Sequence, residues 1–411
     1  MEYAYRCPNC GYRAMSHSQR ISPECPKCRS LLEYDIREDD KEEFLGILDA
    51  LGTLRVNHIS KDRDVIFLDL GRSHIEYRDI KGPISDLGYD MYLREKNGLY
   101  HAFLIKKPPE SAGGMLSKGY VYILLFIATV ISTIYAGYVL SAPLVDEGIM
   151  GNVWSGALSF SAGLMAILVC HEMGHKVQSI KSGISSSWPY FIPMPFLPLG
   201  TLGAIIKMKS PIPTKRDAVY LGASGPLIGV LVAIPVVIIG MRMSYVVPAS
   251  MFEGGGISLG NSILFTLLTY VSSVSVPEGM TLWIHPLAFA GWVGLLVTML
   301  NLLPAGQLDG GHVVRALFGD RGHRKISSAM VWVLLGSGIL GLMSEMGYLP
   351  LGNYFWSGWL MWGILVHFLT RGGHPGALNE IEPLSRNARI VAVLALITFI
   401  MCFVPVPILI Q

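Results

Sequence analysis

The chain has 411 residues, of which 51% are hydrophobic and only 15% are charged. A soluble domain carries about 25% charged residues, so a wholly soluble protein is excluded. The net charge of +2 comes without any strongly basic run, which argues against a nucleic-acid partner. Charged residues concentrate before residue 110, and long apolar runs begin near Tyr120. This division predicts a soluble head followed by a polytopic α-helical membrane domain.

The head begins with two Cys-x-x-Cys pairs, Cys7 with Cys10 and Cys25 with Cys28. Two such pairs can present four thiolates to one ion in a tetrahedron, which predicts a structural zinc ribbon over residues 1–35. An oxidised or metal-free segment is the alternative. No signal or transit peptide pattern opens the chain, so we expect the head to stay in a reducing compartment. Reduced thiols favour a metal over disulfides.

Residues 44–110 are predicted to form a small soluble α+β domain. Residues 64–70 have the composition of a short strand. Two further strand candidates, 89–95 and 99–105, flank Asn97-Gly98. Both residues of this dipeptide tolerate a positive φ, so the pattern predicts a β-hairpin.

A glycine-rich linker, 111–118, leads into the membrane domain, which we assign to 119–411. About 20 apolar residues are needed to cross about 30 Å of hydrocarbon as a helix. The chain contains about seven segments of nearly this length. The predicted spans are 119–140, 155–178, 218–240, 284–303, 327–346, 354–370 and 390–410.

The distribution of basic residues between the spans predicts the orientation. The loop after the first span carries Asp146 and Glu147 without Lys or Arg, and the basic loops all fall on the side of the head. We therefore expect a multi-pass cell-membrane protein with a cytoplasmic head. An eighth span over 257–276 would move the basic cluster at 315–325 to the far side. That segment is therefore predicted to be re-entrant or interfacial.

The apolar segment 188–208 contains four prolines, which a spanning helix would not tolerate. Non-helical backbone at membrane depth persists only where protein or a water cavity satisfies it, so we predict an extended loop or hairpin that lines a cavity. Its last part, 199–207, lacks proline. An unwound substrate could add to this part as a strand, with Gly200 and Gly203 permitting close approach. A passive plug or re-entrant loop is the alternative.

The motif His171-Glu-Met-Gly-His175 lies in the second predicted span. Helix positions i and i+4 share a face, so both imidazoles can bind one ion. Glu172 lies about 100° around the helix, where it can take a proton from a water that the metal activates. Ionisable groups in an apolar helix are expensive and functional by default. The alternative is a polar cluster that joins helices.

A catalytic zinc has three protein ligands and one exchangeable position, so two histidines are not enough. Asp309, in the segment Asn301-Leu-Leu-Pro-Ala-Gly-Gln-Leu-Asp-Gly-Gly-His312, is the best candidate for the third ligand. The predicted topology places it at the cytoplasmic end of its span, at the depth of His175. A loop or helix N-cap role is the alternative for Asp309, and His312 is a rival ligand that its spacing does not favour.

These motifs resemble those of the site-2 protease family of intramembrane metalloproteases. The segment Leu221-Gly-Ala-Ser-Gly-Pro226 is similar to a small-residue motif of that family. The segment His285-Pro-Leu-Ala-Phe-Ala-Gly-Trp-Val-Gly294 most resembles the plant chloroplast metalloproteases of the ethylene-dependent gravitropism-deficient and yellow-green type. Many members have Phe-Pro where this chain has Gly306-Gln307, and many bacterial members carry a PDZ domain that is not evident here.

The resemblance implies that His171, His175 and Asp309 bind zinc and that Glu172 is the general base. It also implies that the substrate is the transmembrane segment of another protein, cleaved after partial unwinding. The zinc ribbon is not a general feature of the family.

The sequence thus predicts an intramembrane zinc endopeptidase with one catalytic and one structural zinc. A zinc-dependent membrane transporter or sensor is one alternative, but it requires ionisable residues along several spans. Outside the two motifs the spans almost lack such residues, His367 apart. A proteolytically inactive scaffold is the other alternative. Such a protein would typically have lost Glu172 or a metal ligand, and this chain retains them all.

Overall fold

The structure is a computed structural model that describes all residues except 1–2, 7–8, 11–12, 17–26, 29–32, 35–37, 53, 55, 63–64, 72–76, 97, 108–118, 253–254, 372 and 411. The chain divides into two units, Met1–Lys107 and Pro108–Gln411. The predicted linker 111–118 lies outside the described residues.

The first unit opens with a small antiparallel sheet in the order β2-β1-β3. Its strands are β1 Tyr3–Arg6, β2 Arg13–Ser16 and β3 Glu33–Tyr34. Cys10 and Cys28 each lie in a turn. Cys7 and Cys25 are outside the described residues, so the four-cysteine zinc site stays a prediction.

A four-stranded antiparallel sheet in the order β4-β5-β7-β6 and two helices make up the other elements in the described part of this unit. The predicted strand at 64–70 and the predicted hairpin are confirmed, with Lys96 paired to Leu99. Ile66, Leu68 and Leu70 are fully buried at alternate positions, as expected for a sheet with one face on a core. The elements are α1 Glu38–Leu51, β4 His58–Asp62, β5 Val65–Gly71, α2 Tyr77–Asp86, β6 Tyr89–Lys96 and β7 Leu99–Lys106.

Apolar helices dominate the second unit. By length and composition, four helices of the described chain can cross a membrane. They are α3 Gly119–Asp146, α4 Val153–Lys181, α5 Lys215–Arg242 and α8 Asp309–Glu345. Three predicted spans correspond to shorter helices of 16, 13 and 17 residues. These are α7 Pro286–Asn301, α9 Gly358–Thr370 and α10 Arg386–Cys402.

The segment predicted to be re-entrant or interfacial contains β11 Ile257–Leu259 and the ten-residue helix α6 Ile263–Ser272. A ten-residue helix is about 15 Å long, too short to cross the hydrocarbon. Four strands outside the helices form two small antiparallel sheets. In one of them β10 pairs with β12, and in the other β11 pairs with β13. The other strands are β10 Tyr245–Pro248, β12 Met280–Trp283 and β13 Ile408–Ile410.

Local sequence determines where the central helices begin. The Asn152 side chain accepts a hydrogen bond from the Trp154 amide at the start of α4, and Thr214 caps α5 in the same way. His285 caps α7 through Nδ1, with Pro286 as the first helical residue. Capping residues satisfy amides that have no partner within the helix. The His-Pro pair of the motif at 285–294 therefore has a structural role.

Helix α8 is interrupted at Gly319, whose φ of 66° and ψ of −171° are not helical. Asp309 lies in the part before the break, and the predicted span 327–346 coincides with the part after it. Asp309 thus begins a helix, after the loop 302–308, rather than ending the preceding span as we expected. The chain turns through the loop 302–308, in which Pro304 disfavours a helix and Gly306 has a φ of 56°.

Glycines bring the central helices close together. Helix α4 packs on α3, α5 and α7, and α5 also packs on α7 and α8. A Cβ added to Gly163 would lie 2.7 Å from Leu287, and one added to Gly294 would lie 2.6 Å from Ile167. Small residues allow this approach in membrane bundles. The polar ends of α4, α5, α7 and α8 consequently meet around one site.

The proline-rich segment forms an antiparallel hairpin of β8 Tyr190–Pro193 and β9 Thr201–Ile205, as predicted. Gly200 packs against α3, where an added Cβ would lie 2.7 Å from the Ser132 carbonyl carbon. The expectation that Gly200 admits a substrate backbone is therefore wrong. Gly203, with a φ of 92°, has open space at its Cβ position. Leu202 is 58% exposed, and the pairing register between β8 and β9 skips it.

Candidate active site

The two histidines of the His-Glu-x-x-His motif lie on one face of α4, as the helical period predicts. Their Nε2 atoms are 3.1 Å apart, and both side chains are buried. Glu172 is also buried, at 7% exposure. Its carboxylate has no hydrogen-bond partner among the residues that the structure describes. The carboxylate can therefore accept a hydrogen bond, and then a proton, from a molecule bound in the site.

Asp309, at the first position of α8, completes the cluster from the other side. Its Oδ2 is 3.1 Å from His175 Nε2 and 3.4 Å from His171 Nε2. In the described part of the chain, no other group of three or more potential ligand side chains converges in this way. The structure therefore brings together the three residues that the sequence motifs predict as ligands. His312 is not part of this group.

The protonation of His175 shows that the cluster is suited to a cation. Its Nδ1 is 2.9 Å from the carbonyl oxygen of Leu221, and a carbonyl can only accept, so Nδ1 carries the proton. Nε2 therefore presents a lone pair, beside a second imidazole nitrogen and a carboxylate oxygen. Zinc bonds of about 2.0–2.1 Å at tetrahedral angles would separate the ligand atoms by about 3.3 Å. The separations of 3.1–3.4 Å fit this geometry.

Helix α5 supports both imidazoles through glycines of the small-residue motif and the next turn. A Cβ added to Gly225 would lie 2.5 Å from Cδ2 and 2.7 Å from Cε1 of His175, and closer still to Nε2. A Cβ added to Gly229 would lie 3.2 Å from Nδ1 of His171. The space for the His175 ring thus exists because residue 225 has no side chain. The resemblance at Leu221–Pro226 has this physical basis.

Asn301, the last residue of α7, reaches the same cluster. Its side-chain amide lies 3.3 Å from His171 Nε2. Asn301 begins the second motif, but the motif alone does not indicate a role for it. An amide at the end of an otherwise apolar helix, eight residues before the candidate ligand, was the signal that could have identified it.

Two imidazoles and a carboxylate around one point, with a glutamate beside them in an apolar helical bundle, have the composition of a metallopeptidase centre. Residues 159–344 match the sequence model of peptidase family M50. This range includes all four residues of the centre. The chain therefore contains a peptidase M50 domain, that of the site-2 proteases, and the resemblance inferred from the motifs is confirmed.

Curated relatives carry names that agree with this family. "Probable zinc metalloprotease EGY1, chloroplastic" of Arabidopsis thaliana is 30% identical over 260 residues, which are 61% of this chain and 43% of the relative. The protein of the same name in Oryza sativa subsp. japonica is 25% identical over 396 residues, 84% of this chain and 64% of the relative.

A third relative, "Probable zinc metalloprotease EGY2, chloroplastic" of Oryza sativa subsp. indica, is 27% identical over 248 residues, 59% of this chain and 41% of the relative. The chain thus spans less than two thirds of the length of each of these relatives. No solved structure matches it.

Proposed function

We propose that this protein is an intramembrane zinc endopeptidase that hydrolyses peptide bonds of membrane-protein substrates. The observation that carries the proposal is the convergence of His171, His175 and Asp309 from two helices, with Glu172 beside them. The M50 domain and the names of the relatives support the same activity. A buried carboxylate and two imidazoles in an apolar bundle would be costly without a functional role.

The side chains divide the chemistry among them. When bound by His171, His175 and Asp309, zinc supplies a Lewis acid that acidifies water and polarises a carbonyl. Glu172 accepts the proton of the attacking water and returns it to the amine that leaves. Leu221 fixes the tautomer of His175 through its carbonyl oxygen, a common device for ligand histidines. Asp309 contributes a negative charge that offsets the metal charge in a low dielectric.

The substrate we propose is a transmembrane segment of another protein. The amides of such a helix are internally hydrogen-bonded, so they need replacement partners before hydrolysis. Strand β9 is the candidate partner, because Leu202 is exposed and unpaired in the β8–β9 register. An extended substrate would gain main-chain hydrogen bonds by adding to this edge.

We further propose a seven-span arrangement in the cell membrane, with the head on the cytoplasmic side. The shorter helices α7, α9 and α10 supply the three spans beyond the four long ones, and the basic loops support this orientation. A second, structural zinc is proposed for Cys7, Cys10, Cys25 and Cys28.

The test is cleavage of a model transmembrane substrate by purified protein in detergent, with wild type compared to Glu172→Gln. We expect the variant to keep its zinc and to lose activity by roughly 10²–10⁴-fold, the value of general acid–base catalysis. Glu147→Gln, the same exchange at an exposed loop position, is the control and should cleave like wild type. Wild-type turnover by Glu172→Gln would refute the proposed role of Glu172.

A further inference from the structure

A second histidine cluster lies beside the metal centre and has no role in the mechanism above. His312, His323 and His374 are all buried, with at most 9% of each residue exposed. His374 belongs to the connection between α9 and α10, and the other two belong to α8. The rings of His312 and His374 have centroids 4.7 Å apart, and those of His323 and His374 are 5.2 Å apart.

The hydrogen bonds of His374 determine its tautomer. The Gly376 amide is 2.9 Å from His374 Nδ1, and because an amide can only donate, Nδ1 is the acceptor. Burial is the main cause that holds the pKa of His374 well below its ordinary value, and the neighbouring His312, His323 and Arg315 act in the same direction. The ring is therefore neutral, and its proton is on Nε2.

This assignment continues to His312. His374 Nε2 lies 2.8 Å from His312 Nδ1, so His374 donates and His312 accepts. A neutral His312 then carries its proton on Nε2. The chain of bonds from Gly376 through His374 thus fixes one tautomer of His312, in which Nε2–H is a donor.

His312 lies beside the metal centre. His312 follows Asp309 by three residues, so the two side chains share a face of α8. Both residues pack against Gly222 of α5, one residue after the Leu221 carbonyl that holds His175. Asp309 and His175 both lie close enough to the His312 ring to interact with it electrostatically.

His323 supports the loop that leads into Asp309. Its Nε2 donates to the Gly306 carbonyl at 2.9 Å, and the Gly306 amide donates to Ser327 at 3.2 Å. The histidine cluster thus holds both the loop that leads into Asp309 and the His312 ring.

We propose that His312 donates a hydrogen bond from Nε2 to the carbonyl oxygen of the scissile peptide as that oxygen gains negative charge, and that His374 is the positioning residue that fixes this donor. The proposal rests on the peptidase function proposed above. A pre-oriented donor at a developing oxyanion stabilises the transition state more than the ground state. The effect should therefore fall on kcat rather than on KM.

Two substitutions of His374 separate its two hydrogen bonds. His374→Asn can still accept from the Gly376 amide, but its shorter side chain cannot reach His312. His374→Gln can place an amide donor near the position of Nε2. If His374 acts through His312, the His374→Gln variant retains most of kcat, whereas kcat of His374→Asn falls by about tenfold. A merely structural role predicts that the two variants lose activity alike.

The first measurement does not depend on cleavage. Side-chain ¹⁵N spectra of full-length protein in detergent report which nitrogen of a histidine is protonated. We expect His312 to be protonated at Nε2 in wild type and in His374→Gln, and to lose this preference in His374→Asn. An unchanged His312 tautomer in His374→Asn would overturn the role of His374, whether or not the protein proves to be a peptidase.

The second measurement is kinetic, on a transmembrane substrate. His312→Phe should lower kcat by about 10²–10³-fold, the value of one oxyanion donor, while KM and the zinc content stay near wild type. His367→Phe, at an exposed position of α9, is the matched control. Loss of zinc from His312→Phe, or unchanged kcat, would overturn the proposed donor. If wild type cleaves no peptide, the proposed function fails, and the tautomer measurement still decides the role of His374.

Discussion

Replacing Gly225 by alanine should disrupt the metal centre without altering any candidate ligand. The new Cβ would lie 2.5 Å from Cδ2 of His175, whereas ordinary contacts begin near 3.4 Å. The imidazole must therefore move by about 1 Å, or α5 must move away from α4. Misplacement on the order of 1 Å can lower a catalysed rate by about 10²-fold. Zinc affinity should fall by roughly 10–100-fold, as for other changes next to ligands.

The assay is zinc per chain at limiting free zinc, measured by mass spectrometry of the metal, together with cleavage rate. The variants Gly229→Ala and Gly336→Ala serve as controls with a small expected effect and no expected effect, respectively. At Gly229 the nearest atom to an added Cβ is 3.2 Å away, so the His171 ring must shift by only a few tenths of an ångström. At Gly336 no atom lies within 4 Å, and zinc content and rate should stay at wild-type values.

Pro226 follows Gly225, and a residue before proline is disfavoured in the helical conformation. Repeating the Gly225→Ala exchange in a Pro226→Ala background removes this second effect. The defect should persist there if the His175 contact causes it. Wild-type zinc affinity and cleavage in the double variant would refute the conclusion that α5 determines the position of the His175 ring.

Three further predictions concern the head, the substrate strand and the topology. Cys7→Ser should lose about one zinc per chain and unfold the ribbon while the catalytic zinc remains; metal analysis that finds both zincs lost would show coupled sites. Leu202→Pro should sharply lower cleavage of a transmembrane substrate at normal zinc content, because it removes a main-chain donor from β9; unchanged cleavage by the folded variant would exclude strand addition there. A cysteine near Asp146 should react with an external impermeant reagent in sealed vesicles, and one near Arg324 should not; labelling near Arg324 would refute the proposed orientation.

Features that depend on neighbouring residues could be read from the sequence. The 3.6-residue period places His171 and His175 on one face of α4 without any knowledge of packing. The Asn97-Gly98 dipeptide predicted the hairpin of β6 and β7, and the prolines of 188–208 predicted an extended loop or hairpin. Length was a weaker guide to the spans. Helices α7 and α9 are shorter than the predicted spans that contain them, and α10 is shorter than its predicted span and begins four residues before it.

The sequence by itself thus determined the chemical types at the centre: two imidazoles and a carboxylate on one helix, and a second carboxylate in a later polar motif. The tertiary structure alone decided which atoms meet. The contact of Asp309 with His175 joins residues 134 positions apart, and the support of His175 by Leu221 and Gly225 depends on how closely α5 approaches α4. Such contacts arise from the packing of whole helices, which no local pattern encodes, and for that reason Asn301 and His374 acquired candidate roles only in the folded chain.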